Sequence, residues 1–178
     1  LNTLGDRARQ DHPQVEWVAE SWQARAGLAD HPVAYVGAAE SARVCLWVGE
    51  QSGLGGRGRL PREAEWLVAA RAGAPGISFT WGFAPAAVER ACFDADSARD
   101  VASYPPNGWG VFDGCGNVAE WCRDNVAPEK VFLKGGSFAE RDPRYLRLAH
   151  RVNVDAGYAN ADAGFRVWVT DSPTEQRL

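Results

Sequence analysis

Beyond Gly73 this 178-residue chain loses helical periodicity, and that loss limits what it can fold into more than any other feature. Short apolar runs such as Val131-Phe132-Leu133 and Phe165-Arg166-Val167-Trp168-Val169 alternate with clusters of Gly, Pro, Asn and Asp. That punctuation predicts short strands set among long loops. Pro105-Pro106-Asn107-Gly108 can only be turn. Gly135-Gly136 predicts a close backbone approach or a positive φ, which side chains beyond glycine tolerate poorly.

Before Gly73 the pattern predicts three helices. Residues 11–26 have Asp11 as N-cap, Pro13 in the first turn, Val15, Val18 and Trp22 on one face, and Gly27 as a stop. Residues 39–51 carry Val44, Cys45, Trp47 and Val48 and end before Gly53. Residues 61–72 start at Pro61, hold Ala64, Trp66, Leu67 and Ala70, and stop at Gly73.

Composition excludes several classes. A mass of 19.3 kDa is one domain, large enough to bury a core without staples. A net charge of −4 argues against nucleic-acid binding, which draws on clustered Lys and Arg. No apolar run approaches the roughly 20 residues of a membrane helix, so no membrane insertion is expected. The chain has no Met and starts at Leu1, so its N-terminus is expected to be a processed or truncated one. Lys130 and Lys134 are the only lysines among many arginines, as codon bias in a GC-rich genome would give. Cys45, Cys92, Cys115 and Cys122 fit no zinc motif and read as free, mostly buried thiols. The cytoplasm of a bacterium or archaeon is the expected setting.

Three generic chemical signals are weak. Gly53-Leu54-Gly55-Gly56-Arg57-Gly58 matches a dinucleotide-loop pattern, but a helix precedes it where a strand is required, so it reads as a loop. His12, His31 and His150 lie too far apart for a local metal pair. No nucleophile-elbow motif occurs. One residue makes a firm physical demand: Arg166, in an apolar strand, needs an acidic or carbonyl partner, and Glu63, Glu65 and Glu120 are the candidates.

Five motifs in order are more specific. They are Arg59-Leu60-Pro61-Arg62-Glu63-Ala64-Glu65-Trp66 with Ala69-Ala70-Arg71; Ser103-Tyr104-Pro105-Pro106-Asn107-Gly108-Trp109-Gly110 running into Val111-Phe112-Asp113; Gly116-Asn117-Val118-Ala119-Glu120-Trp121-Cys122; Leu133-Lys134-Gly135-Gly136-Ser137-Phe138; and Gly164-Phe165-Arg166-Val167. Together they resemble the formylglycine-generating-enzyme, or sulfatase-modifying factor, family of C-type lectin folds over residues 31–170. The resemblance implies an α+β fold with short antiparallel strands, two to three helices and much irregular structure. It divides the chain into an N-terminal helical extension (1–30), the lectin-like domain (31–170) and a flexible tail (171–178). The strand and helix with which the family normally opens are absent here.

The resemblance also sets expectations about metals. Formylglycine-forming enzymes carry two copper-binding cysteines after the Gly-Gly-Ser motif. Those positions are Glu140 and Tyr145 here, and no Cys follows Cys122, so neither copper nor that activity is expected. A structural Ca²⁺ is implied at Asp113 and Glu120 with the carbonyls of Gly116 and Val118, all hard oxygen donors. The competing reading is that Glu120 pairs with an arginine. The family's second calcium site falls near residues 92–100, where the ligands do not match.

The function expected is ligand or protein binding without catalysis. Residues 139–163 lie between the Gly-Gly-Ser-Phe and Gly-Phe-Arg anchors. The variable proteins of diversity-generating retroelements share this fold and place their mutable residues in this same window. The candidate recognition residues are Arg141, Tyr145, His150, Val152, Val154, Tyr158 and Asn160, all expected to be exposed, with an unknown protein or small molecule as partner. Arg147 and Arg151 are expected to turn inward to carboxylates. The alternative is an oxidoreductase or oxygenase of the same superfamily that lacks the copper cysteines.

Overall fold

A computed structural model describes residues 13–18, 21–52, 57–127, 130–155 and 157–170. Expectations about Asp11, His12, residues 53–56 and the 171–178 tail fall outside the described residues. The two helices predicted C-terminal to residue 38 are present, as α1 (Ala38–Gln51) and α2 (Glu63–Ala70). The helix predicted over 11–26 is not. Its place is taken by an antiparallel hairpin of β1 (Val15–Val18) and β2 (Ser21–Ala24), with Val15 opposite Ala24 and Trp17 opposite Trp22. The β-branched and aromatic content of Val15-Glu16-Trp17-Val18 favours strand, and Pro13 can precede a strand as readily as open a helix.

α1 runs against β3 (Arg57–Arg59), and the two backbones nearly touch. A Cβ on Gly58 would lie 1.9 Å from the Cys45 carbonyl oxygen, so only glycine fits there. β3 pairs antiparallel with β8 (Trp168–Thr170), which ties the segment after α1 to the last described strand. α2 begins where Glu65 accepts the Arg62 N–H at 2.7 Å, while both its oxygens hold Arg59 at 2.7 Å. That pairing keeps the Glu65 carboxyl below the usual carboxylate range. At the other end, the Asn107 amide donates to the carbonyls of Ala69 (2.7 Å) and Ala70 (3.0 Å). The predicted turn therefore adds side-chain donors to the last turn of the helix, where the Ala69 carbonyl also accepts the Ala72 N–H at 3.1 Å.

The main sheet has the order β6-β5-β4-β7, with β4 at Ala119–Ala127, β5 at Lys130–Lys134, β6 at Val152–Asp155 and β7 at Ala163–Gly164. Its pairings are antiparallel except β4 with β7, which is parallel through Ala119 opposite Ala163 and Glu120 opposite Gly164. Alternation along β4 sends Trp121 to one apolar cluster, with Cys45, Leu60, Leu133 and Ala163, and Cys122 to another, with Trp66, Phe79, Phe132, Leu146 and Leu148. All four cysteines are free and buried. Burial pushes the Cys45 and Cys115 thiols up to about 11 and raises Cys92 and Cys122 as well, so they are packing groups at neutral pH. No helix among the described residues is long and apolar enough to cross a membrane.

The long loops are held by side chains that capture backbone. Buried Asn117, at φ 63°, accepts the Arg99 N–H at 3.0 Å and donates to the Arg99 carbonyl at 3.1 Å, while its own N–H reaches the Cys92 carbonyl at 2.8 Å. The paired glycines behave as their sequence predicts, with φ of 91° at Gly135 and 67° at Gly136. A Cβ on Gly136 would stand 2.9 Å from both Leu146 Cδ2 and the Tyr145 carbonyl oxygen. Gly136→Ala should therefore cost about 2–4 kcal/mol, combining the positive-φ penalty with overpacking against a buried turn. Urea unfolding measures it, and a loss below about 0.5 kcal/mol would contradict the close approach.

Candidate functional site

Glu120, second residue of β4, lies almost wholly inside the protein at 5% exposure. Its Oε2 accepts the Trp66 indole N–H from α2 at 2.6 Å and the Arg166 Nε–H at 2.5 Å, and Oε1 accepts an Arg166 Nη2–H at 2.5 Å. The same guanidinium also donates to the Phe112 carbonyl at 3.1 Å. Arg166 thus has the acidic and carbonyl partners it requires, and Glu120 is the acid among the three candidates. The other two are engaged elsewhere: Glu65 with Arg59, and Glu63 with buried Lys134 at 3.2 Å and Arg151 at 3.1 Å.

Asp113 is brought beside this pair, at φ 54°. Its Oδ2 accepts the Ala102 N–H at 2.8 Å. Burial holds its carboxyl above the usual range; the Ala102 N–H pulls it back, Glu120 pushes it further up and Arg166 lowers it. Asp113, Glu120 and Arg166 share one open cavity with Val33, Val101, Phe112 and Phe165. The sequence flagged Asp113 and Glu120 but not the four apolar residues. They come from distant parts of the chain, and no local pattern links them.

The calcium arrangement implied by the resemblance can be tested against this geometry. Both Glu120 oxygens are engaged, and the positive charge that neutralises them comes from Arg166. A divalent ion bound to Glu120 would sit against a guanidinium. On Glu120, then, a calcium ion would have to displace the Arg166 guanidinium or share its oxygens with it. Excess chelator should leave the melting temperature unchanged, because only a ligand of the native state stabilises by mass action. A drop of several degrees, with bound calcium found by elemental analysis, would contradict this reading.

The window between the two anchors is placed partly as expected. Arg141, Tyr145, Val152 and Asn160 are exposed, His150 is half-buried with its ring 5.0 Å from that of Tyr145, and Arg141 reaches Asp94 and Asp96 across the surface. Two candidates are not free surface. Val154 and Tyr158 are half-buried against the cluster containing Trp121, and the Tyr158 hydroxyl donates to Asp162 at 2.8 Å. Val154 lies opposite Val131, the register that turns it toward the sheet's apolar side. Arg151 reaches Glu63 and packs over the Phe132 ring at 5.3 Å yet remains exposed, and Arg147 is exposed rather than turned inward. The window is pinned from beneath by Leu146 and Leu148, both wholly buried, and by the Leu148 N–H on the Ser78 carbonyl at 2.9 Å.

Comparison with known proteins accounts for this arrangement. The family model described as "Sulfatase-modifying factor enzyme 1-like domain" matches residues 7–171. The serine/threonine-protein kinase pkn1 of Chlamydia pneumoniae is 33% identical over 159 residues, which cover 79% of this chain but 24% of that protein. The formylglycine-generating enzyme of Streptomyces coelicolor is 30% identical over 175 residues, covering 79% of this chain and 53% of the enzyme. The chain thus spans only part of the length of these relatives. In three dimensions it resembles Treponema denticola variable protein 1 with a TM-score of 0.73 at 20% identity, covering 89% of this chain and 76% of that one. Five ordered motifs, a buried Glu120–Arg166 pair that joins two of them, and a family match over nearly the whole sequence lead to one conclusion: this chain belongs to the sulfatase-modifying factor enzyme 1-like domain family.

Proposed function

We propose that this domain is a non-catalytic binding module that displays a variable recognition surface from the window at residues 139–163. The observation that carries the reading is the division of labour within that window. Leu146, Leu148 and Ala163 are buried and fixed, whereas Arg141, Tyr145, Val152 and Asn160 stand in solvent. The exposed set mixes an aromatic ring, a cation and an amide, the side-chain chemistry that paratopes use. Its ion pairs, Arg141 with Asp94 and Asp96, are solvent-exposed and contribute little to the fold. The likeness to a variable protein supports the same reading, as do Glu140 and Tyr145 at the positions where the resemblance would place copper thiolates.

A library randomised at Arg141, Tyr145, Val152 and Asn160 tests the proposal. Most members should unfold cooperatively within about 5 °C of the parent, since exposed substitutions shift stability little. Selection with a purified lysozyme as bait should yield members that bind it while the parent does not. Loss of cooperative unfolding in most members, or no binder from a well-sampled library, would contradict the recognition surface. Incubation with copper and a Cys-containing sulfatase peptide should give no aldehyde by mass spectrometry. Aldehyde above the no-protein control would favour the oxidoreductase reading instead.

A further inference from the structure

The main sheet ends differently at its two sides. At β7, Gly164 is bridged by Ala34, so that edge is covered. At β6 no further strand follows among the described residues, and Arg151, Val152, Asn153 and Asp155 are exposed. Alternation along the strands fixes which backbone groups point out from this edge. The Ala119 N–H goes to the Asp162 carbonyl and the Arg123 N–H to the Pro61 carbonyl, both away from β5. Glu120 and Cys122 therefore carry the bonds to Lys134 and Phe132, which leaves Leu133 and Val131 to bond Val152 and Val154. Asn153, between those two, turns its N–H and C=O outward, and no hydrogen bond from another described segment reaches them. We infer that this edge pairs with the same edge of a second copy of the chain, β6 against β6 and antiparallel about a two-fold axis at Asn153, joining two four-stranded sheets into one across a homodimer.

In that register the edge is complementary to itself. Residues 151–155 read Arg-Val-Asn-Val-Asp. With Asn153 opposite its own copy, the two residues exchange both N–H···O=C bonds, Val152 stands opposite Val154, and Arg151 stands opposite Asp155, the last two pairings occurring twice. Val152 and Val154 share the sheet face of Leu133 and Val131. They meet in the non-hydrogen-bonded position, where cross-strand side chains come closest. Arg151 lies on the other face, over the Phe132 ring. Its carboxylate partner Glu63 also serves buried Lys134, so two cations share one acid and a further carboxylate opposite Arg151 is favoured. Slipping the pairing by two residues either way removes the Arg–Asp contact, so the pattern selects this register. Unused edges are commonly protected by proline, lysine or a bulge, and β6 has no proline, no lysine and an unshifted register. The inference is separate from what the window recognises. Of the four exposed residues assigned to recognition, only Val152 lies in β6; dimerisation covers it, and the other three lie outside the strand.

Sedimentation equilibrium on the whole chain is the test. The mass should rise from 19.3 kDa toward twice that value as the protein is concentrated into the high micromolar range. Asn153→Pro removes only an outward N–H, a substitution that an edge strand accepts. It should weaken dimerisation at least about tenfold while urea unfolding stays cooperative. The charges supply a second route that leaves the backbone alone. Asp155→Arg and Arg151→Asp should each dimerise about tenfold more weakly than the parent, since each sets like charges opposite one another twice. An equimolar mixture of these two variants should associate as the parent does, because every charge then faces its opposite. Trp47→Ser, at the exposed apolar pair Leu46 and Trp47 on α1, should leave dimerisation unchanged. A monomer at the highest soluble concentration would overturn the inference. So would dimers of parent strength in Asn153→Pro, a mixture of the charge variants no stronger than its components, or a dimer that Trp47→Ser dissolves.

Discussion

One buried carboxylate joins a helix, a central strand and the segment after β7 through side chains alone. Glu120 on β4 holds Trp66 of α2 through the indole N–H and Arg166 between β7 and β8 through both oxygens, and Arg166 passes the link on to the Phe112 carbonyl. Residues from position 66 to position 166 thus meet on two side chains. A chain whose C-terminal two-thirds is mostly loop cannot rely on regular secondary structure to fix its tertiary arrangement. Breaking such a pair on one side leaves an uncompensated charge in the core, which typically costs about 3–5 kcal/mol. That asymmetry makes the pair a constraint on the whole fold even where its net contribution is small.

The same strategy recurs at smaller scale. Asn107 caps α2, Asn117 clamps the backbone at Arg99 and Cys92, and the Trp121 indole N–H donates to the Val36 carbonyl at 2.9 Å. Lys134, wholly buried, donates to Glu63 and to the Leu148 carbonyl at 2.8 Å, 5.5 Å from the Trp66 ring. Each satisfies backbone groups that a loop would otherwise leave without partners. Because these buried contacts hold the scaffold from within, the exposed residues of the 139–163 window carry little structural duty.

Much of this was legible in the sequence, for identifiable reasons. α1 and α2 follow an apolar period bounded by Gly53 and by Pro61 and Gly73. The double glycine demanded positive φ and has it, and Arg166 demanded an acid and has Glu120. The hairpin at β1 and β2 was misread because Val15, Val18 and Trp22 satisfy a helical spacing by chance, over a segment too short for its strand pairing to be visible locally. Val154 and Tyr158 were expected in solvent because local pattern reports composition. Their burial depends on which strand lies opposite and on Trp121, whose ring is 6.3 Å from that of Tyr158. The cavity was invisible for the same reason: Val33, Val101, Asp113 and Phe165 share no spacing, only a meeting point.

If the Glu120–Arg166 pair is the constraint on which the loops depend, its two members must be energetically coupled. A double-mutant cycle of Glu120→Gln and Arg166→Met, read by urea unfolding, measures that directly. Each single variant should lose about 3–5 kcal/mol, and the double variant should lose less than the sum by about 2 kcal/mol or more, since removing both partners removes the stranded charge. Losses that add to within about 0.5 kcal/mol would mean that the two residues act independently and that the fold is held elsewhere.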